Sequence, residues 1–113
     1  MEYPVNETTT NYVTLSELEI LLKEDGTATL IDARTPEEFN EGHARGAINV
    51  PIAEMTEYAK SRGGTNDGVV VAMCGSTGRG EKAAAILESG GVQKPLVLEG
   101  GLRAWRDAGL PVT

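Results

Sequence analysis

Between Val69 and Leu87 the chain reads VVVAMCGSTGRGEKAAAIL, which sets a thiol, a glycine-bearing turn and a cation in close succession: Cys74, then Gly75-Ser76-Thr77-Gly78, then Arg79. A cysteine thiolate is a strong nucleophile, and the surroundings of the sulfur decide how much thiolate there is. Two glycines in the turn let successive backbone N–H groups converge, and a helix restarting at Arg79 adds unpaired first-turn N–H groups and the positive end of its dipole. The result is an anion cradle with the sulfur at its base. Its donors and the Arg79 guanidinium all favour thiolate over thiol, so Cys74 is expected to be a nucleophile that needs no histidine base. A lone cysteine after a valine run is commonly just a small buried hydrophobe. A structural cysteine, however, has no need of Gly, Ser, Thr and Gly followed by an arginine at a helix start.

Two near matches bound the chemistry. GSTGRGEK has the glycine spacing of a Walker A loop, but Glu81 stands where the lysine must be, and an acid there repels phosphate. The protein-tyrosine-phosphatase pattern has one residue more between Cys and Arg than the four found here. No His, Cys or carboxylate cluster has metal-ligand spacing, so neither a metal nor another cofactor is expected. The single cysteine excludes an internal disulfide and an internal resolving thiol, so whatever Cys74 accepts must leave to an outside acceptor.

Such a loop needs a strand before it and a helix after it. Val69 to Met73 is five apolar residues, which suits a strand buried on both faces of a parallel sheet and brings Cys74 to its carboxyl end. Ala83, Ala84, Ile86 and Leu87 then share one side of a helix that Gly90-Gly91 stops. Thr29-Leu30-Ile31 is a second buried strand, which carries Asp32-Ala33-Arg34 to the same edge if the sheet is parallel. Ala47 to Val50 and Pro95 to Leu98 are shorter strands, and Tyr12-Val13 suits an edge.

Between the strands, Thr14-Leu15-Ser16-Glu17 is a capping-box pattern followed by a Leu15, Leu18, Leu22 stripe, and Thr35-Pro36-Glu37-Glu38 opens a short capped helix with proline first and glutamate third. Ala53 to Lys60 is expected to be helical, as is the segment with Leu102 and Trp105, where Trp105 is expected in the core rather than against a ligand. His43, in a run without regular period, is expected to hold a turn. Alternating strands and helices give an α/β fold with a mainly parallel central sheet of about five strands flanked by helices. Residues 1–11 are expected to be a flexible arm and 12–113 the domain.

With 113 residues there is room for one core. A net charge of −7 argues against nucleic acid or an anionic membrane as partner, leaving the local cradle to attract anions. The opening MEYPVNETTTN has neither a basic nor an apolar signal region, and no run reaches transmembrane length, so a cytoplasmic protein is expected.

Asp32-Ala33-Arg34, the run EFNEGHARGAINVP from Glu38 to Pro51, the Cys74 to Arg79 loop, and EGGLRAWRDAGLPV from Glu99 to Val112 together resemble a single-domain rhodanese, a thiosulfate sulfurtransferase-type module. The resemblance implies a doubly wound domain in which Cys74 takes up a sulfane sulfur as a persulfide and passes it to cyanide or a thiol, with a sulfur-carrier or thioredoxin-like protein as a further partner class. It assigns Gly75, Ser76, Thr77, Gly78 and Arg79 to anion binding, and Asp32, Arg34 and His43 to support.

The loop length resembles the sulfur-transferring type rather than the phosphatase and arsenate-reductase members, which carry one residue more. Alternatives of another class are a non-catalytic interaction or sulfur-carrier module and, less in keeping with the loop, a phosphatase-type enzyme. Many thiosulfate-using relatives have a basic residue where this chain has Gly75, and often Ser or Thr where it has Gly80. Thiosulfate is therefore expected to be a poor donor and a persulfide or polysulfide a better one.

Overall fold

A computed structural model describes residues 11–24, 26, 28–62, 68–75 and 78–113. Ser76 and Thr77 of the expected loop, and positions 1–10 of the expected arm, lie outside the described residues. The strands are β1 (Asn11–Val13), β2 (Thr29–Asp32), β3 (Ile48–Asn49), β4 (Val70–Met73) and β5 (Leu96–Leu98). The helices are α1 (Leu15–Glu24), α2 (Pro36–Glu41), α3 (Ile52–Arg62), α4 (Gly78–Ser89) and α5 (Gly101–Asp107). Every pairing in the five-stranded sheet is parallel, and the strand order is β1-β5-β4-β2-β3. β4 is the middle strand.

Strand alternation sorts the core into two layers. Val71 and Met73 of β4 and Leu30 of β2 face Leu18 of α1 and Leu102 and Trp105 of α5. Val70 and Ala72 of β4 and Ile31 of β2 face Met55 and Ala59 of α3 and Ala83 and Leu87 of α4. Helices thus cover both faces, which is why β4 is apolar throughout and all four of its residues are buried. Trp105 is core, its indole N–H donating to the Pro111 carbonyl at 2.7 Å.

The helix starts follow their local chemistry. Thr14 and Glu17 form the reciprocal capping bonds that open α1, at 2.8 and 3.1 Å. Thr35 and Glu38 do the same for α2, with Pro36 at its first position. The expected stripe on α1 is corrected by one residue, because Leu15, Leu18 and Leu21 face the sheet while Leu22 is exposed. The buried row is an i, i+3 ridge, which lies oblique to the helix axis, so the last turn presents Leu21 inward and leaves Leu22 at the rim of a surface cleft beside Leu110 and Pro111.

This difference is measurable. Leu18→Ala should cost about 3 kcal/mol through the cavity it opens, and Leu22→Ala less than about 1 kcal/mol, by urea unfolding. Equal losses would mean that Leu22 is core after all.

Candidate active site

The register of β2 and β4 places the candidate groups. Asp32 lies opposite Met73, and the Ala33 N–H donates to the Met73 carbonyl at 2.8 Å, so the β2 end and Cys74 reach one edge of the sheet. Cys74 is only 2% exposed. It ends the central strand, where the ladder stops and its carbonyl needs a new donor.

That donor comes from α5. The Leu102 N–H donates to the Cys74 carbonyl at 2.7 Å, and the Arg103 N–H to the Gly75 carbonyl at 3.1 Å. These are N–H groups of the first turn, which have no acceptor within their own helix. In a trans peptide the N–H points opposite to the C=O, so fixing the Cys74 carbonyl toward α5 aims the Gly75 N–H away from it. The chain enters α5 through Gly100 at φ 79°, where a Cβ would lie 2.8 Å from that of Ala104, so glycine is required on both counts.

On the other side of the loop, α4 begins at Gly78 and comes close to the sheet. A Cβ at Gly80 would lie 3.2 Å from Val97 Cγ1 and 3.5 Å from the Ala72 carbonyl oxygen, so a side chain there would crowd the strand. At Gly75, by contrast, a Cβ would meet nothing within 4 Å. Gly80 is thus explained by packing, while Gly75 occupies open space.

Arg79, in the first turn of α4, reaches across to α2. Its Nη1 and Nη2 donate to Glu38 Oε1 and Oε2 at 2.9 and 3.2 Å. The Arg79 guanidinium, followed by the Thr35 N–H, holds the Glu38 carboxyl down at about 2. Glu38 in turn raises Arg79 above its ordinary value, with smaller contributions from Cys74 and Asp32. Glu81, also in the first turn, accepts from the Tyr12 hydroxyl on the edge strand.

Asp32 and Arg34 form a second, buried pair. Asp32 is fully buried and accepts from the Arg34 backbone N–H at 3.0 Å, from Nε at 3.0 and 3.1 Å, and from Nη2 at 2.9 Å. Arg34 Nη2 also donates to the Gly42 carbonyl at 2.6 Å, and Asn49 Nδ2 donates to the Asp32 and Arg34 carbonyls at 3.1 and 2.9 Å. His43 follows directly. Its ring stacks on Phe39 with centroids 3.6 Å apart, and its Nδ1 lies 2.8 Å from the Phe39 carbonyl oxygen. A carbonyl only accepts, so Nδ1 carries the proton. The His43 backbone exchanges two bonds with Thr113, at 3.1 and 2.8 Å.

Asp32 and Arg34, bonded to the Gly42 carbonyl, and His43, bonded to the Phe39 carbonyl, therefore fix the turns after β2, and Glu38 of the intervening helix pairs with Arg79 at the start of α4. Two contributions were not read from the sequence. Glu38 was visible as a capping residue but not as the partner of Arg79, and the EGGLRAW segment was not seen as the source of donors for the Cys74 carbonyl.

A profile of the Rhodanese-like domain matches residues 14–108. The chain belongs to the rhodanese-like domain family. It is 39% identical over 92 residues to Thiosulfate sulfurtransferase 16, chloroplastic, of Arabidopsis thaliana, with 72% of this chain and 76% of that protein covered. It is 38% identical over 106 residues to an HTH-type transcriptional regulator of Mycobacterium tuberculosis, covering 88% of this chain but only 43% of the regulator, so rhodanese-like segments also occur within longer proteins. Among solved structures, the human single domain sulfurtransferase superposes with a TM-score of 0.77 at 28% identity, over 88% of this chain and 97% of that one. The rhodanese-like fold expected from the sequence, with a mainly parallel sheet, is the fold these neighbours share, and here every strand pairing is parallel.

The two ion pairs should respond differently. Asp32→Ala leaves Arg34 buried without its counter-ion and should cost about 3 kcal/mol in denaturant unfolding, and removing both partners should cost less than the sum of the single losses. An additive double mutant would show that the pair is not a unit. For Glu38 the folded-state value lies below the ordinary 4.5, so its pair stabilises fully above that pH and the contribution is lost as pH falls toward about 2. Both side chains are about 40% exposed, so the effect should stay below about 1 kcal/mol. Comparing wild type with Glu38→Gln across that window by thermal unfolding tests it, and parallel curves would refute the assignment.

Proposed function

We propose that this rhodanese-like domain is a sulfurtransferase in which Cys74 carries the transferred sulfur. The observation that carries the reading is the position of Cys74, the chain's one thiol, at the carboxyl end of the central strand, with its own carbonyl and the next one held by α5. The names of the Arabidopsis and human relatives support the same reaction class.

In the loading step the Cys74 thiolate attacks the sulfane sulfur of the donor. A sulfur–sulfur bond forms at Sγ while the donor's own bond breaks, and the leaving group, sulfite from thiosulfate or a thiolate from a persulfide, departs with the electron pair. In the second step an acceptor thiolate or cyanide attacks the outer sulfur and Cys74 leaves as thiolate. Backbone N–H groups of the loop are assigned to stabilise the negative charge that both steps move through it. Gly75, Ser76, Thr77, Gly78 and Arg79 are assigned to this anion-binding role, and Asp32, Arg34 and His43 to holding the turns around it. Small thiols, cyanide and a sulfur-carrier or thioredoxin-like protein are the acceptor classes, and the cytoplasm is the proposed compartment. No helix among the described residues is long and apolar enough to cross a membrane.

Incubation with thiosulfate or a persulfide should raise the intact mass by about one sulfur atom, roughly 32 Da, and a reducing thiol should reverse it. Cys74→Ser should gain nothing. The same gain in that variant would remove Cys74 from the mechanism, whereas turnover of a phosphate ester without sulfur uptake would favour the phosphatase-type reading.

A further inference from the structure

Arg79 is the cation nearest in sequence to the cysteine loop, yet it is not free. Both of its terminal nitrogens are bonded to Glu38. The other arginine at this edge, Arg34, is bound to Asp32. Two further groups bear on the loop: Glu81, engaged by Tyr12, and Arg103, whose backbone N–H holds the Gly75 carbonyl and whose exposed side chain makes no ion pair among the described residues. Gly75 offers no charge. Of the arginines described around the loop, Arg34 and Arg79 are therefore neutralised by carboxylates, and Arg103 alone makes no ion pair among the described residues.

We propose that Glu38 is a selectivity residue of the sulfur-loading step, which by neutralising Arg79 disfavours dianionic donors such as thiosulfate relative to hydropersulfides. The proposal rests on the sulfurtransferase reading above. With a hydropersulfide R–S–SH, the Cys74 thiolate attacks the terminal sulfur, the new S–S bond forms at Sγ as the donor's own S–S bond breaks, and R–S⁻ leaves with the electron pair. One negative charge enters the step and one leaves. With thiosulfate, the same attack brings two further negative charges into the loop and expels sulfite with both. A free guanidinium discriminates strongly between these cases, and a paired one does so weakly. Glu38 acts through Arg79 and is therefore a positioning residue rather than a catalytic one.

Glu38→Gln separates this role from helix capping, because glutamine at the third position of α2 still bonds back to the Thr35 N–H while losing the charge. Cys74 loading is followed by intact mass, and steady-state rates with cyanide as acceptor are measured with thiosulfate and with cysteine hydropersulfide, in wild type, Glu38→Gln, Arg79→Ala, the double variant and Arg103→Ala. Glu38→Gln should lower the apparent KM for thiosulfate about fivefold, the scale of one exposed ion pair, and more at low salt, while the hydropersulfide KM changes less than about twofold. In the Arg79→Ala background the same substitution should do nothing. An unchanged ratio of the two KM values in Glu38→Gln overturns the proposal, as does an equal fall in the Arg79→Ala background. So does a thiosulfate KM that depends on Arg103 and not on Arg79. If wild-type Cys74 takes up sulfur from neither donor, the sulfurtransferase reading fails and the proposal with it, an outcome distinct from uptake with an unmoved ratio.

Discussion

The central strand ends under cover on both faces, and its last carbonyls must find donors without water. This constraint organises the site. β4 pairs with β2 and β5 as far as Met73 and Ala72, and beyond that the ladder has nothing to offer Cys74. A buried carbonyl left open would cost on the order of 1–3 kcal/mol. The first turn of α5 has the opposite problem, since its N–H groups have no acceptors of their own. Joining the two solves both, and it fixes the peptide planes on which the cysteine stands. The geometry at Cys74 is therefore a by-product of satisfying backbone groups, and it rests on the packing of Leu102 and Trp105 that anchors α5.

The two ion pairs at this edge have different physics. Asp32 and Arg34 are desolvated, and such a pair is tolerated only when nearly every donor and acceptor is engaged. Here the carboxylate takes four bonds and the guanidinium also holds Gly42, so the pair works as a staple for the turns between α2 and β3. Glu38 and Arg79 lie at the surface, where Coulomb attraction is screened and adds little stability. What their pair decides is location, since it joins the start of α2 to the start of α4.

Much of the fold was legible because its determinants are local. The unbroken apolar run before Cys74, the two capping boxes and the glycine pair after α4 each specify a boundary by themselves, and a strand apolar throughout must have both faces covered. Cys74 stood out for the same reason, as a thiol followed by turn residues and an arginine. The partner of Arg79 was not, because Glu38 lies 41 positions away in sequence and its glutamate was already accounted for by capping. Nor was the role of Leu102 and Arg103 visible: a backbone N–H carries no residue identity, so nothing in the EGGLRAW string says where its donors point. Leu22 shows the remaining limit, since helical spacing gives a stripe but not the angle at which that stripe meets a sheet.

The charge at the edge can now be assembled. Asp32 is balanced by Arg34, Glu38 by Arg79, and Glu81 accepts a neutral hydroxyl, while Arg103 makes no ion pair among the described residues, in a chain with a net charge of −7. A fixed cation would bind an anionic donor before and during reaction alike, and uniform binding of that kind lowers KM without speeding the chemical step. Oriented N–H dipoles act differently, because they are short in range and help most where charge is concentrated on the atom they face. In the proposed reaction, an edge with Arg79 neutralised and the Cys74 and Gly75 carbonyls held from behind would thus be weak at gathering dianions from solution. It would be better suited to hold the charge that the proposed transfer develops on sulfur as one bond forms and another breaks. Under the proposed sulfur transfer, donor affinity is what the edge gives up, and stabilisation of the moving charge is what the peptide planes at Cys74 and Gly75 retain.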